Sequence, residues 1–257
     1  MNEEYEALMK TIKSLTKIDL SLYKEAQMKR RLASFCEKKN MDFFALCQAL
    51  PSNKQLLEEC LDRMTINVSS FFRNPERWDV FMKEVIPKLQ QKKRLITIWS
   101  AACSTGEEAY TLSAIVHHFS LQATILATDL DTAVLEKARR GVYAEEAIHD
   151  IPLPFRNRYF AKTREGIVPT DALRKNVTFQ QHNLLYDPFP RFFDIIVCRN
   201  VMIYFTEQAK EQLYQRFSES LHEGGYFFVG STEQIFKPSH YRLSSFLPFL
   251  YEKEKRL

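Results

Sequence analysis

From Arg94 onward, short apolar runs with strand spacing alternate with segments of helical period, and this alternation restricts the fold more than any other feature. Residues 94–100, 123–129, 176–183 and 192–200 read as strands, and residues 107–119, 132–140 and 207–221 read as helices. Strands separated by helices are joined by crossovers and lie parallel, so the expected fold is a doubly wound, Rossmann-like α/β sheet. Residues 226–231 and 241–252 supply the last strands, with Gly224 and Gly225 as a C-cap before them. Asp131 reads as the N-cap of the helix that ends at Gly141.

Ahead of the sheet, residues 1–66 read as a small all-helical domain: residues 5–15, 20–40, 43–50 and 53–64 carry helical period, broken by Pro51 and Asn53. Residues 67–75 read as a linker between the two domains. Asn74 can cap a helix over 75–90 that has Pro75 at its first position. The α/β domain then spans 76–257, interrupted at 154–179 by a short β insertion with Pro154 and Pro169 and room for one hairpin. An apolar fraction of 45% and a charged fraction of 26% suit a globular chain, and no stretch reaches the ~20 apolar residues of a membrane span. The acidic N-terminus lacks a signal-peptide pattern, so a cytoplasmic location is expected. Five widely spaced cysteines without C-x-x-C pairs argue against disulfides and against a metal site.

The first strand runs into Ser100, Ala101, Ala102, Cys103, Ser104, Thr105 and Gly106, then Glu107 and Glu108 open a helix. Small residues let a ligand approach the backbone at the switch point of an open sheet. Two glutamates there would repel a pyrophosphate, whereas S-adenosylmethionine, with its sulfonium and ammonium, suits a carboxylate such as Glu108. Asp129 ends the second strand about 20 residues beyond this loop, where an acid accepts from ribose hydroxyls. Asn183 and Leu184, after the third strand, offer an amide and an apolar face to adenine, or a plain turn. The fourth strand ends at Arg199 and Asn200, followed by Val201, Met202, Ile203, Tyr204 and Phe205. This is the carboxyl edge of the sheet, where a methyl acceptor would arrive. It lacks the proline-rich turn of enzymes that methylate base amines.

Residues 99–110, 127–138, 198–205 and the run TINVSSFFR at 65–73 resemble the CheR family of chemotaxis receptor methyltransferases. Gly141-Val142-Tyr143, Arg158-Tyr159-Phe160 and Gly230-Ser231-Thr232-Glu233 follow in the family's order, and the resemblance covers nearly the whole chain. Ser69 stands where better-known members have threonine, and Ala109 where they have proline. The resemblance implies methyl transfer from S-adenosylmethionine to glutamate side chains of methyl-accepting receptors, with S-adenosylhomocysteine as product. It implies cofactor contacts from Asn67, Ser69, Arg73, Glu108, Asp129, Asn183, Leu184, Arg199 and Asn200. Arg73 and Tyr204 are assigned to orient the acceptor carboxylate, which at a pKa of about 4.3 is already ionised and needs no general base.

The same resemblance points to the cytoplasmic helical domain of the receptors as partner, and to recruitment to membrane receptor arrays without membrane insertion. Lys24, Lys29, Arg30, Arg31 and Lys38 make the segment at 20–40 basic; Lys24, Arg31 and Lys38 recur every seven residues and suit docking on an acidic helix bundle. Some family members also tether to a receptor tail through a β-subdomain. Residues 154–179 are short and carry Pro169, so recognition here is expected to rest on the N-terminal helix. Two other readings stay open from the residues alone: an RNA methyltransferase, suggested by the net charge of +4, and a non-catalytic S-adenosylmethionine-binding protein.

Overall fold

The computed structural model describes residues 2–65 and 67–255; the expected boundary at Ile66, and Met1, Arg256 and Leu257 at the ends of the expected domains, lie outside them. Four helices come first: α1 (Asn2–Thr16), α2 (Glu25–Lys39), α3 (Phe43–Ala49) and α4 (Lys54–Met64). Their apolar faces meet in a core of their own that includes Tyr5, Leu8, Ile12, Leu32, Phe35 and Leu46. The side chains of Asp42 and Asn53 accept from Ala45 N and Leu56 N and so start α3 and α4.

The single helix expected over 20–40 is not continuous. Asp19 accepts from Ser21 N and fixes one 3₁₀ turn at Leu20–Leu22, Tyr23 and Lys24 are extended, and only then does α2 begin. Tyr23 leaves the helical path to form an antiparallel bridge with Phe205, a tertiary contact that local period does not encode. The helix expected over 75–90 is likewise broken, into α5 (Pro75–Glu84) and α6 (Ile86–Gln90), near Pro87, which has no N–H to donate.

The rest follows as β1 (Ile96–Ala101), α7 (Glu107–His118), β2 (Ala123–Asp129), α8 (Thr132–Arg140), α9 (Leu153–Tyr159), β3 (Phe160–Lys162), β4 (Ile167–Pro169), α10 (Asp171–Lys175), β5 (Val177–Gln181), β6 (Phe193–Cys198), α11 (Glu207–Ser220), β7 (Leu221–Val229), β8 (Leu243–Leu247) and β9 (Leu250–Lys253). The main sheet has the order β5-β2-β1-β6-β7-β9-β8; its first five strands are parallel, while β9 is antiparallel to both β7 and β8. Successive residues of β1 serve opposite faces. Trp99 packs on Phe217 of α11, and Ser100 meets Glu108 of α7, so the sheet is covered on both sides. Phe217 and Phe227 are fully buried there, each contributing about 2–3 kcal/mol of transfer free energy.

The insertion carries the expected hairpin, β3 against β4, with Pro169 opposite Phe160 at its end. Asp131 caps α8 as read, accepting from Ala133 N and Val134 N. Gly224 and Gly225 do not cap a helix: α11 ends at Ser220, and both glycines sit inside β7, where the register against β6 shifts between Phe193 and Ile195. A Cβ at Gly225 would stand 2.9 Å from His222 O, so the irregular pairing needs glycine there. The segment 241–252 supplies two of the last strands, β8 and β9, paired as a hairpin.

Candidate functional site

The loop between β1 and α7 is shaped by backbone conformations that few side chains favour. Ala102 and Ser104 have φ of 65° and 49°, and Gly106 has φ of 95° with no room for a Cβ, which would lie 2.9 Å from Ala138 Cβ. The end of β2 pulls the loop in: Cys103 N donates to Thr128 O at 2.8 Å, and Ser104 N donates to Asp129 Oδ2 at 2.8 Å. The paired glutamates then divide. Glu107 accepts from Thr105 Oγ1 and stays buried, while Glu108 lines the cleft beside the loop.

Glu108 Oε1 accepts from Ser100 Oγ at 2.8 Å, and Oε2 lies 3.6 Å from Arg199 Nη1. Burial pushes Glu108 above the ordinary glutamate range, although Arg199 opposes it. Asp129 is also pushed up by burial, against the amides of Asp131 and Ser104 that favour its charged form. Arg199 packs against the touching rings of Trp78 and Phe228, with its Cζ 5.1 Å and 5.0 Å from the two ring centres. It donates through Nη2 to Arg73 O at 2.7 Å and Asn74 Oδ1 at 3.2 Å. Asn74 therefore does not cap α5: it has φ of 60°, makes no capping hydrogen bond, and spends its side chain on Arg199.

Asn67, Ser69, Arg73, Glu108, Asp129, Asn183, Leu184, Arg199, Asn200 and Tyr204 all line one cleft of about 840 Å³ at the carboxyl ends of the parallel strands. Asn67 Nδ2 donates to Asp131 Oδ2 at 3.0 Å, tying the segment after α4 to the start of α8. Asn183 Oδ1 accepts from Leu185 N at 3.0 Å, the turn hydrogen bond of an Asx motif. Arg73 Nη1 donates to Val68 O at 3.1 Å. Tyr204 closes a 3₁₀ turn, Met202–Tyr204, at the far side of the cleft.

The five basic residues before and along α2 separate. Arg31 faces the cleft, its guanidinium 4.8 Å from the centre of the Tyr204 ring and its Nη1 2.5 Å from Met64 O. Lys24 precedes α2 and donates its amide to Tyr204 O, and Lys29 lies over the Tyr5 ring; Arg30 and Lys38 are exposed. The break before α2 takes Lys24 out of the heptad row, while Arg31 and Lys38 stay on one face of α2, Arg31 over the Tyr204 ring and Lys38 exposed. Sequence reasoning also passed over Glu233 as a site residue. Its carboxylate accepts from Asn200 N at 2.6 Å and Gly230 N at 2.8 Å. The signal was its place in the run Gly230-Ser231-Thr232-Glu233.

The cleft fits S-adenosylmethionine: buried carboxylates meet its positive charge, and Ser104 Oγ and Arg199 Nε are buried polar atoms without a protein partner. A sheet with five parallel strands, a reversed β9 and a carboxylate-lined cleft at the switch point defines the class of S-adenosylmethionine-dependent methyltransferases. The chain belongs to the CheR methyltransferase family: residues 67–247 match its SAM binding domain and residues 3–65 its all-alpha domain. It is 40% identical over 257 residues to the chemotaxis protein methyltransferases of Listeria monocytogenes and Listeria innocua, covering 98% of this chain and of each relative. It is 31% identical over 269 residues to that of Borreliella burgdorferi, covering 98% of this chain and 94% of the relative. Among the described residues no helix is long and apolar enough to cross a membrane.

Proposed function

We propose that the protein methylates glutamate side chains in the cytoplasmic helical domain of chemotaxis receptors, forming glutamyl methyl esters. The observation that carries this reading is that one cleft is lined by both carboxylates and guanidinium groups. Glu108 and Asp129 in its lining suit a cationic cofactor, and Arg31, Arg73 and the phenol of Tyr204 in the same lining suit an anionic acceptor. When bound, S-adenosylmethionine supplies a methyl group on a cationic sulfur, and its transfer to a carboxylate oxygen leaves the neutral thioether S-adenosylhomocysteine.

Asn67, Ser69, Arg73, Glu108, Asp129, Asn183, Leu184, Arg199 and Asn200 hold the cofactor in this reading, and Arg73 and Tyr204 orient the acceptor. Orientation is what the reaction asks of the chain. The acceptor carboxylate arrives ionised, so the gain lies in aligning one oxygen and stripping its water. His182 also lines the cleft, but burial holds its ring below the ordinary histidine range, and its Nε2 lies 3.3 Å from Pro188 O; it packs edge-on to Trp99. Arg30 and Lys38, exposed on α2, offer cations to an acidic receptor bundle, and binding there brings the protein to membrane arrays without insertion.

The test is incubation of the purified protein with radiolabelled S-adenosylmethionine and the cytoplasmic fragment of a cognate receptor. Label on receptor glutamates, released as methanol by mild base, is the expected result. Base-stable label, or label only on added RNA, would overturn the assignment.

A further inference from the structure

Glu233 stands outside the cleft and is 4% exposed, yet it collects the backbone of the acceptor edge. Its Oε2 accepts from Asn200 N at 2.6 Å and from Gly230 N at 2.8 Å, and its Oε1 accepts from Ile203 N at 3.3 Å; Met202 N also donates to the carboxylate. Three of these four amides belong to the turn at 200–203. That turn leaves β6 with Asn200 at a φ of 62°, a left-handed conformation that asparagine adopts more readily than most residues, and enters the 3₁₀ turn Met202–Tyr204. The amides at the start of such a turn have no partner within it, and converging amides of this kind form an anion site. Here the anion is supplied by the chain itself.

Gly230 is part of the arrangement, because a Cβ there would lie 2.3 Å from Glu233 Oε2. The turn is gripped from its other side as well, where Tyr204 O accepts from Lys24 N at 2.9 Å. We propose that Glu233 is a positioning residue for methyl transfer, its carboxylate fixing the turn at 200–203 so that Tyr204 is presented to the acceptor. The inference rests on the proposed role of Tyr204 above. Glutamine is no substitute: it has a single acceptor oxygen for four amide donors, and its NH₂ would face one of them donor to donor.

Two measurements on E233Q test this. In amide hydrogen exchange, residues 200, 202 and 203 should exchange about tenfold faster or more, while Cys103 and Ser104 in the β1–α7 loop keep their protection. In methyl transfer to the receptor fragment, kcat should fall on the order of 10- to 100-fold, with a smaller loss of S-adenosylhomocysteine affinity, since Glu108, Asp129 and Arg199 are anchored elsewhere. Unchanged exchange at 200–203, an unchanged kcat, or cofactor affinity falling in parallel with kcat would overturn the proposal. If the unaltered protein does not methylate the fragment, the proposed acceptor is wrong and the exchange measurement alone decides on Glu233. Should E233Q fail to fold, G230A, which keeps the carboxylate and crowds it, carries the same two readouts.

Discussion

Burial raises three carboxyls near one end of the sheet, Glu108, Asp129 and Glu233, above their ordinary range. A carboxyl raised in the folded state contributes stability that is fully present below its unfolded pKa, about 4.3 for Glu and 3.9 for Asp, and lost as pH rises through the folded pKa. When ionised, Glu108 and Asp129 hold buried negative charge beside the cleft that a bound cation relieves. S-adenosylmethionine affinity should weaken as pH falls through the raised pKa values of Glu108 and Asp129 and they take up protons, and S-adenosylhomocysteine, without the sulfonium charge, should respond less. Calorimetric titration of both ligands checks this, and Glu108→Gln should narrow the difference between them. Asp129 and Glu108 were legible because an acid at a strand end and an acid after a small-residue loop leave a sequence pattern. Glu233 left none of that kind, since its partners are backbone amides that any residue could supply.

Asp194, at the opposite end of β6, shows how one side chain joins adjacent strands. It is fully buried, receives Lys92 Nζ at 2.8 Å and Arg94 Nη2 at 2.6 Å, and accepts from Thr97 N of β1 at 3.1 Å. Burial alone would raise its pKa, but these donors outweigh burial and hold it below the ordinary aspartate range. The sign is thus opposite to that of Glu108: the contribution is present above the unfolded pKa, about 3.9, and lost as pH falls through the folded value. Asp194→Asn should cost about 2 kcal/mol near neutrality and lose that penalty in acid, measured by urea unfolding across pH. The alternation of elements made the sheet legible in the sequence. The break at Val85, the bridge at Tyr23 and the glycines inside β7 were hidden, because proline placement, tertiary pairing and strand register act against or beyond local period.

The N-terminal helices and the sheet share the far wall of the cleft. Tyr23 bridges Phe205, Lys24 N donates to Tyr204 O, Thr206 N donates to Leu22 O, and Arg31 covers the Tyr204 ring. Arg31 and Lys38 are therefore unequal despite their heptad spacing. Lys38→Ala should raise the KM for the receptor fragment two- to threefold or so in a salt-sensitive way, with kcat kept, as expected for an exposed charge. Arg31→Ala should lower kcat by about tenfold or more, because it releases Tyr204. Steady-state kinetics at two ionic strengths separates the two effects, and equal behaviour of both variants would return Arg31 to the docking surface.

The bridge between Tyr23 and Phe205 also bears on how relatives can be recombined. An exchange of N-terminal helical domains at the junction after Thr65 transplants one side of this bridge and leaves the other behind. A chimera with a foreign residue 23 keeps its backbone hydrogen bonds, since Lys24 N and Leu22 O are main-chain groups, but loses the edge-on fit of the Tyr23 and Phe205 rings, whose centres lie 5.0 Å apart. Hybrids that move residues 22–24 and 204–206 together preserve the seam, so the functional unit of exchange is a discontinuous pair of segments rather than the helical portion alone.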